Sequence, residues 1–362
     1  MTTSKSYPFY VKSTVILFGL VLLTCIFFYL SDILIPLAFA LMLAILLNPM
    51  SVRLEKWKIP RVLSIAISLL AAFIILGAIG YFLFSQLSNF TDELPVFQKK
   101  VHELLGQVKE WLNSRLGMDV KKQNEFVNDF QTSARPLVGR TVGTVLGMFA
   151  MIFLIPVYTF LFMFYKTLLL NFFYESFDDY HSKEVGVVLH QMKGAVQSFM
   201  LGLLLEALVV AILNSIALLL LGVKYAILLG VLGALLNVLP YIGGIIAISL
   251  PVLIATVTKD GFNTQLGIIA AYLVIQFIDN NFLVPYLVSS KVKINALVSI
   301  VVVLLGGALW GIPGMFLSIL FIGVLKIVFD RVPELTSWGK LLGDEVPTEN
   351  RFVRKKSVVA NR

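Results

Sequence analysis

Charge is what this chain has least of. Only 14% of its 362 residues are Asp, Glu, Lys or Arg, against about 25% in an ordinary soluble domain. A soluble protein of this length needs more polar surface than that to face water. Cysteine is almost absent: Cys25 stands alone in an apolar run, so no intramolecular disulfide framework exists. Histidine occurs three times, at His102, His181 and His190, and none belongs to a His-Glu-x-x-His zinc pattern. No Gly-x-Ser-x-Gly elbow and no Gly-Lys-Ser/Thr phosphate loop is present, which speaks against an enzyme and against ATP as the energy source within this chain. These shortages exclude a cytoplasmic enzyme, a disordered scaffold and a disulfide-built secreted domain. What is abundant is apolar: 58% of residues are hydrophobic, 28 of them Phe, and the mean hydropathy is +0.90. The bilayer is the natural solvent for such a chain.

The formal charge of +8 does not read as a nucleic-acid footprint, and no nucleic-acid partner is expected. Five of the 29 basic residues fall in the last twelve positions (Arg351, Arg354, Lys355, Lys356 and Arg362) and the others mostly flank apolar stretches. Basic flanks on apolar spans are topology signals.

Apolar runs and their interruptions predict an all-α polytopic membrane protein. Residues 1–88 hold three spans. Asp32 is the only charge between Lys12 and Arg53; that run is too long for one span of about 20 residues, so two helices near 13–30 and 33–50 meet at Ser31-Asp32. The first is expected to be an uncleaved anchor, because no small-x-small site follows it. Val62 to Gln86 makes the third span. Residues 89–140 change character: Phe97, Val101, Leu104, Val108 and Trp111 recur at helical spacing among many charges, the mark of an amphipathic insert. It packs either on its own bundle or, as an arm, on another subunit or the bilayer surface. An arm of this length is expected to build a homo-oligomer. Residues 141–198 supply a fourth span and a polar connector.

Residues 199–328 are read as the transport core. A fifth span carries one charge, Glu206. Residues 225–258 then run uncharged, but Asn237-Val238-Leu239-Pro240-Tyr241-Ile242-Gly243-Gly244 interrupts them. As one helix the stretch would be about 51 Å long, against a hydrocarbon core of about 30 Å. Residues 294–325 repeat the pattern, broken at Gly306-Gly307-Ala308-Leu309-Trp310-Gly311-Ile312-Pro313-Gly314. Between the two lies a full span near 263–285, containing Gln276, Asp279, Asn280 and Asn281. Paired Pro/Gly-broken segments point to a transporter binding site; the alternative is two kinked crossings without a pocket.

The short loop 51–61 holds Arg53, Lys56, Lys58 and Arg61 and is assigned to the cytoplasm. Carried along the chain, that places both termini and the basic tail at 329–362 inside and the insert outside. Lys291 and Lys293 fall inside only if each broken segment is a pair of helices, re-entrant or fully spanning. About eight membrane segments result, and the two units face opposite ways as an inverted repeat.

The sequence resembles the AI-2E family, the autoinducer-2 exporter-like bacterial membrane proteins. The resemblance is carried by Leu221-Gly222-Val223-Lys224-Tyr225-Ala226, Leu236-Asn237-Val238-Leu239-Pro240-Tyr241-Ile242-Gly243, Asp279-Asn280-Asn281-Phe282-Leu283-Val284-Pro285 and the run from Gly306 to Gly314. It implies a multi-pass transporter of the bacterial plasma (inner) membrane, either an exporter of a small signalling molecule linked to quorum sensing or a sodium/proton antiporter. A non-transporting assembly protein is the further alternative.

Candidate site residues follow from polarity inside apolar spans. Glu206 is one, or else a structural hydrogen-bonding group. Gln276, Asp279, Asn280 and Asn281 offer oxygens for a monovalent cation at Asp279 or for a hydroxylated solute, or else close a helix end. Asn237, Pro240, Tyr241 and Gly243 at the first break and Gly311, Pro313 and Gly314 at the second complete the set. No cofactor is expected beyond Na+ or H+ as coupling ion; the expected partners are a small-molecule or ion substrate and the lipid bilayer.

Overall fold

A computed structural model describes residues 8–91, 106, 153–177, 179–239, 243–259, 261–288 and 294–344. Nearly all of the 89–140 insert, including its apolar stripe, the first part of the fourth span and the tail beyond 344 lie outside the described residues.

Helix α1 (Phe9–Tyr29) meets α2 (Ser31–Lys56) at the single residue Leu30. Asp32 sits in the first turn of α2, where a carboxylate favours the helix dipole. The loop Trp57–Pro60 turns on Lys58, which has φ 64°, and leads into α3 (Arg61–Thr91). The described part of the fourth span, α4 (Phe153–Phe164), bends by 59° into α5 (Lys166–Glu175). Helix α6 (Asp179–Leu220) is 42 residues long, roughly 63 Å at 1.5 Å per residue. Its first turns fall where the sequence suggested a polar connector. Charge had looked like loop, yet a helix leaving the membrane needs no apolar face there.

Helix α6 ends at a Schellman turn. Gly222, at φ 63°, donates to the Leu219 carbonyl and Val223 to that of Leu218, the pattern for which Gly just past a helix end is selected. The chain then doubles back twice. Helix α7 (Ala226–Asn237) and helix α8 (Gly243–Thr258) form the first hairpin. Their lengths, about 18 and 24 Å, fall short of a 30 Å core. A Cβ on Gly243 would run into the Leu236 carbonyl, so the return needs glycine there. Helix α9 (Asn263–Ile278) follows and passes without a gap into a π-helical segment, Asp279–Val288.

Helix α10 (Ala296–Arg331) is a second hairpin. Trp310 and Gly311 leave helical geometry (φ −131° and φ 62°). Residues Gly306 and Gly314 would stand about 12 Å apart on a straight helix, but a Cβ on either would strike the carbonyl of the other. The tip rests on α1: Trp310 Nε1 donates to the Phe27 carbonyl at 2.9 Å, and the two rings lie 6.1 Å apart. The short helix α11 (Thr336–Leu342) then returns to the start of α10. Asn295 caps α10 by accepting from the Val298 N–H and holds the return through Nδ2 on the Leu341 and Gly343 carbonyls.

Three apolar clusters bind these parts. Ala44, Leu47, Ile65, Leu69 and Met163 join α2, α3 and α4. Met42, Val196, Phe199, Val288, Leu317 and Leu320 join α2, α6, the π segment and α10. Leu218, Leu229, Ala247, Ile254, Ile268 and Tyr272 seat the first hairpin on α6 and α9. Small polar residues let helices approach, as membrane helices require: Ser64 and Ser68 are buried, and Thr159 reaches the Ala40 carbonyl at 3.3 Å. The opposite faces are apolar and exposed, α1 along its whole length, an arrangement stable in lipid and not in water. Among the described residues six helices are long and apolar enough to cross a membrane, and up to seven when the bent pair α4–α5 counts as one span.

Candidate substrate and ion site

Asp279 caps the C-terminal end of α9 and is the first residue of the π segment. Wider helical turns of this kind recur at functional sites because they turn side chains out of register. Its side chain is only 2% exposed. Oδ2 accepts from Asn237 Nδ2 at 2.8 Å and from Gln276 Nε2 at 3.4 Å. Oδ1 is buried with no hydrogen-bond partner. Gln276 Nε2 also leans toward Asn280 Oδ1 at 3.4 Å. Glycine makes room for this amide: a Cβ on Gly244 would stand 2.9 Å from Gln276 Oε1.

These groups border a cavity of about 790 Å³. Asn237 enters from the first hairpin, Gln276, Asp279 and Asn280 from α9 and the π segment, and Glu206 from α6. Phe199, Phe316 and Ile319 form an apolar wall, and Asp344 stands at the exposed edge. The cavity thus carries three carboxyl groups and no Lys, Arg or His among its lining residues. Buried carboxyls without a basic partner are costly in an apolar medium. A monovalent cation, a proton, or the hydroxyls of a polar solute can each satisfy them. Among the described residues no group of three or more His, Cys, Asp or Glu is placed to hold a metal ion.

The structure brings together Glu206, Asn237, Gln276, Asp279 and Asn280 from the sequence-derived set. It separates others. Asn281 turns outward and spends its amide on the Phe277 carbonyl at 2.8 Å. Gly243 shapes the hairpin and does not line the cavity. Gly311, Pro313 and Gly314 form the tip of the second hairpin, away from the cavity; that hairpin lines the cavity with the flanks of its limbs instead. Pro240 and Tyr241 lie outside the described residues.

Sequence reasoning missed Tyr272, although a signal was present. Gln265, Tyr272 and Asp279 recur every seven residues on one face of α9 and its continuation, and all three are buried. Gln265 Oε1 and Tyr272 Oη, like Asn214 Oδ1 on α6, have no hydrogen-bond partner. A Cβ on Gly233 would lie 3.3 Å from Asn214 Nδ2 and 3.4 Å from Tyr272 Oη, so α7 leaves a small opening between the two polar groups.

Paired broken helices around a polar cavity, in an all-helical chain with lipid-compatible surfaces, define a polytopic membrane protein of transport type. The model of the AI-2E family transporter matches residues 16–334, and the chain belongs to that family. It is 27% identical over 337 residues to the AI-2 transport protein TqsA of Escherichia coli K12, covering 92% of this chain and 96% of that protein. It is 30% identical to the "Putative permease PerM" of the same organism, over 85% of this chain and 90% of the relative. The "Putative transport protein YrrI" of Bacillus subtilis is 26% identical, over 85% and 92%.

Proposed function

We propose that this protein is a secondary transporter that exports a small polar solute of the autoinducer-2 type across the bacterial plasma membrane, driven by an ion gradient. The observation that carries the reading is the cavity itself, in which Asp279 presents a buried, unpartnered oxygen beside Asn237, Gln276 and Glu206. Amides and carboxylates offer donors and acceptors in the mixture that a hydroxylated solute needs, and Phe199, Phe316 and Ile319 supply the apolar contact typical of small-molecule sites. Similarity to TqsA, named for AI-2 transport, supports the substrate class. Two hairpins facing opposite ways, with both termini cytoplasmic, suit alternating access. The protein is proposed to work as a homo-oligomer joined through the 89–140 arm.

A second reading, sodium/proton antiport, is favoured by one feature: Glu206 and Asp279 face one cavity with no basic lining residue. Purified protein in liposomes decides between them. Uptake of a labelled polar signalling molecule under an imposed sodium or proton gradient supports solute transport. Sodium-dependent proton movement without added solute supports antiport. No flux of either kind gives the assembly-protein reading precedence.

A further inference from the structure

A second cavity, of about 560 Å³, lies apart from the acidic one, between α2, α4, α5, α6 and α10. Its body is apolar, lined by residues such as Met42, Ile45, Phe162, Leu170, Leu320 and Val324. Its charged groups are basic: Lys166 and Lys193 line it beside His190, Asn48 and Tyr174, and no Asp or Glu does. Lys166 Nζ donates to Asn48 Oδ1 at 3.0 Å, a neutral acceptor. The charges of Lys193 and Arg61 act on the Lys166 ammonium, and Glu55 acts the other way. Arg61 is already engaged, donating to the Met163 carbonyl at 3.0 Å and lying over the Phe164 ring. Among the described residues neither Lys166 nor Lys193 has a carboxylate at ion-pair distance. Gathering like charges at a partly buried point is unfavourable until an anion joins them.

We infer that this cavity binds one anionic phospholipid, with an acyl chain in the apolar slot and the phosphate between Lys166 and Lys193. Both halves of the cavity are needed for that choice. A free phosphate would answer the lysines and leave the slot empty. A choline lipid would fill the slot but bring its own cation to a basic site. The position agrees with the ligand: Asn48 and Arg61 flank the stretch that carries Arg53, Lys56 and Lys58, which the charge rule assigns to the cytoplasm. Basic pockets between membrane helices on that side are suited to anionic headgroups. Occupancy would also reach the first cavity. Leu317 and Leu320 of α10 line the lipid slot, while Phe316 and Ile319 of the same limb wall the acidic cavity. The inference does not depend on which substrate is carried.

The test uses the full chain in detergent, with native mass spectrometry and thermal unfolding as readouts. Phosphatidylglycerol, phosphatidylcholine and glycerol 3-phosphate are added in turn. The expected result is one tightly held phosphatidylglycerol with a raised melting temperature, weaker phosphatidylcholine and no effect of glycerol phosphate. Lys166→Gln with Lys193→Gln should weaken phosphatidylglycerol binding about thirtyfold, while Lys166→Arg with Lys193→Arg retains it. Leu170→Trp, which keeps every charge and fills the slot, should also abolish binding. Equal retention of the two lipids, the same stabilisation by glycerol phosphate, or undiminished binding by both the Gln pair and the Trp variant would overturn the lipid site.

Discussion

Asn237 and Asp279 lie 42 positions apart in the chain and meet at 2.8 Å, the amide of one donating to the carboxylate of the other. That contact ties the turn of the first hairpin to the point where α9 widens into the π segment. A movement of the hairpin therefore changes the surroundings of Asp279 directly.

Asp279→Asn keeps the shape and removes the charge. Flux is expected to fall about tenfold or more, in line with the loss of a charge-assisted contact of roughly 1.5–3 kcal/mol. Membrane insertion and yield are expected to be unchanged. Full flux in the variant would return Asp279 to a structural role.

Asn237→Ala removes the 2.8 Å donor and is expected to cost about 1.5–3 kcal/mol of stability, as for hydrogen bonds to charged groups. Gln276→Ala removes a contact of 3.4 Å and should cost less, because bonds at that length are weak. Melting temperatures of the two variants in one detergent give the order; a reversed order would show that Gln276 is the principal partner.

Tyr272→Phe separates stability from function. The hydroxyl is buried without a partner, so its removal should leave the melting temperature unchanged or raise it. Flux should fall, because Tyr272 is among the residues that line the cavity. A clear loss of stability would mean that the hydroxyl is hydrogen-bonded in the folded protein.

The two glycines at the second break act through different physics. Gly314→Val meets the Gly306 carbonyl and is expected to abolish monodisperse folded protein. Gly311→Ala meets nothing but must hold φ 62°, a strain of about 1–3 kcal/mol. Size-exclusion profiles after expression distinguish them, with Gly311→Ala folded and less stable.

Assembly is tested through the arm. Leu104→Glu with Val108→Glu places charge on the apolar stripe, and mass measurement in nanodiscs should then show a smaller species than the unmodified protein. An unmodified protein that is monomeric, or an oligomer indifferent to the double change, would remove the arm from the assembly.

The class of protein was written in the chain alone, because burying apolar surface in lipid depends on composition and run length and not on packing partners. The break points were legible from backbone chemistry: Pro240 with Gly243-Gly244, and Gly311 with Pro313-Gly314, combine a lost helical donor with glycines free to leave helical geometry. Glu206, Asn237 and Asp279 stood out because polar groups in apolar spans are rare. Their meeting in one cavity was decided only by the fold. It depends on how far α7 returns along α6 and on the π turn that re-aims Asp279, and neither follows from a local rule of residue spacing. The length of α6 was hidden because its first turns are charged, and charge separates helix from loop only where a partner face is known. The basic end of the second cavity is tertiary in the same sense. Lys166 and Lys193, with Arg61 nearby, come from three separate helices, and each alone reads as an ordinary flank of a membrane span, until packing draws their charges together.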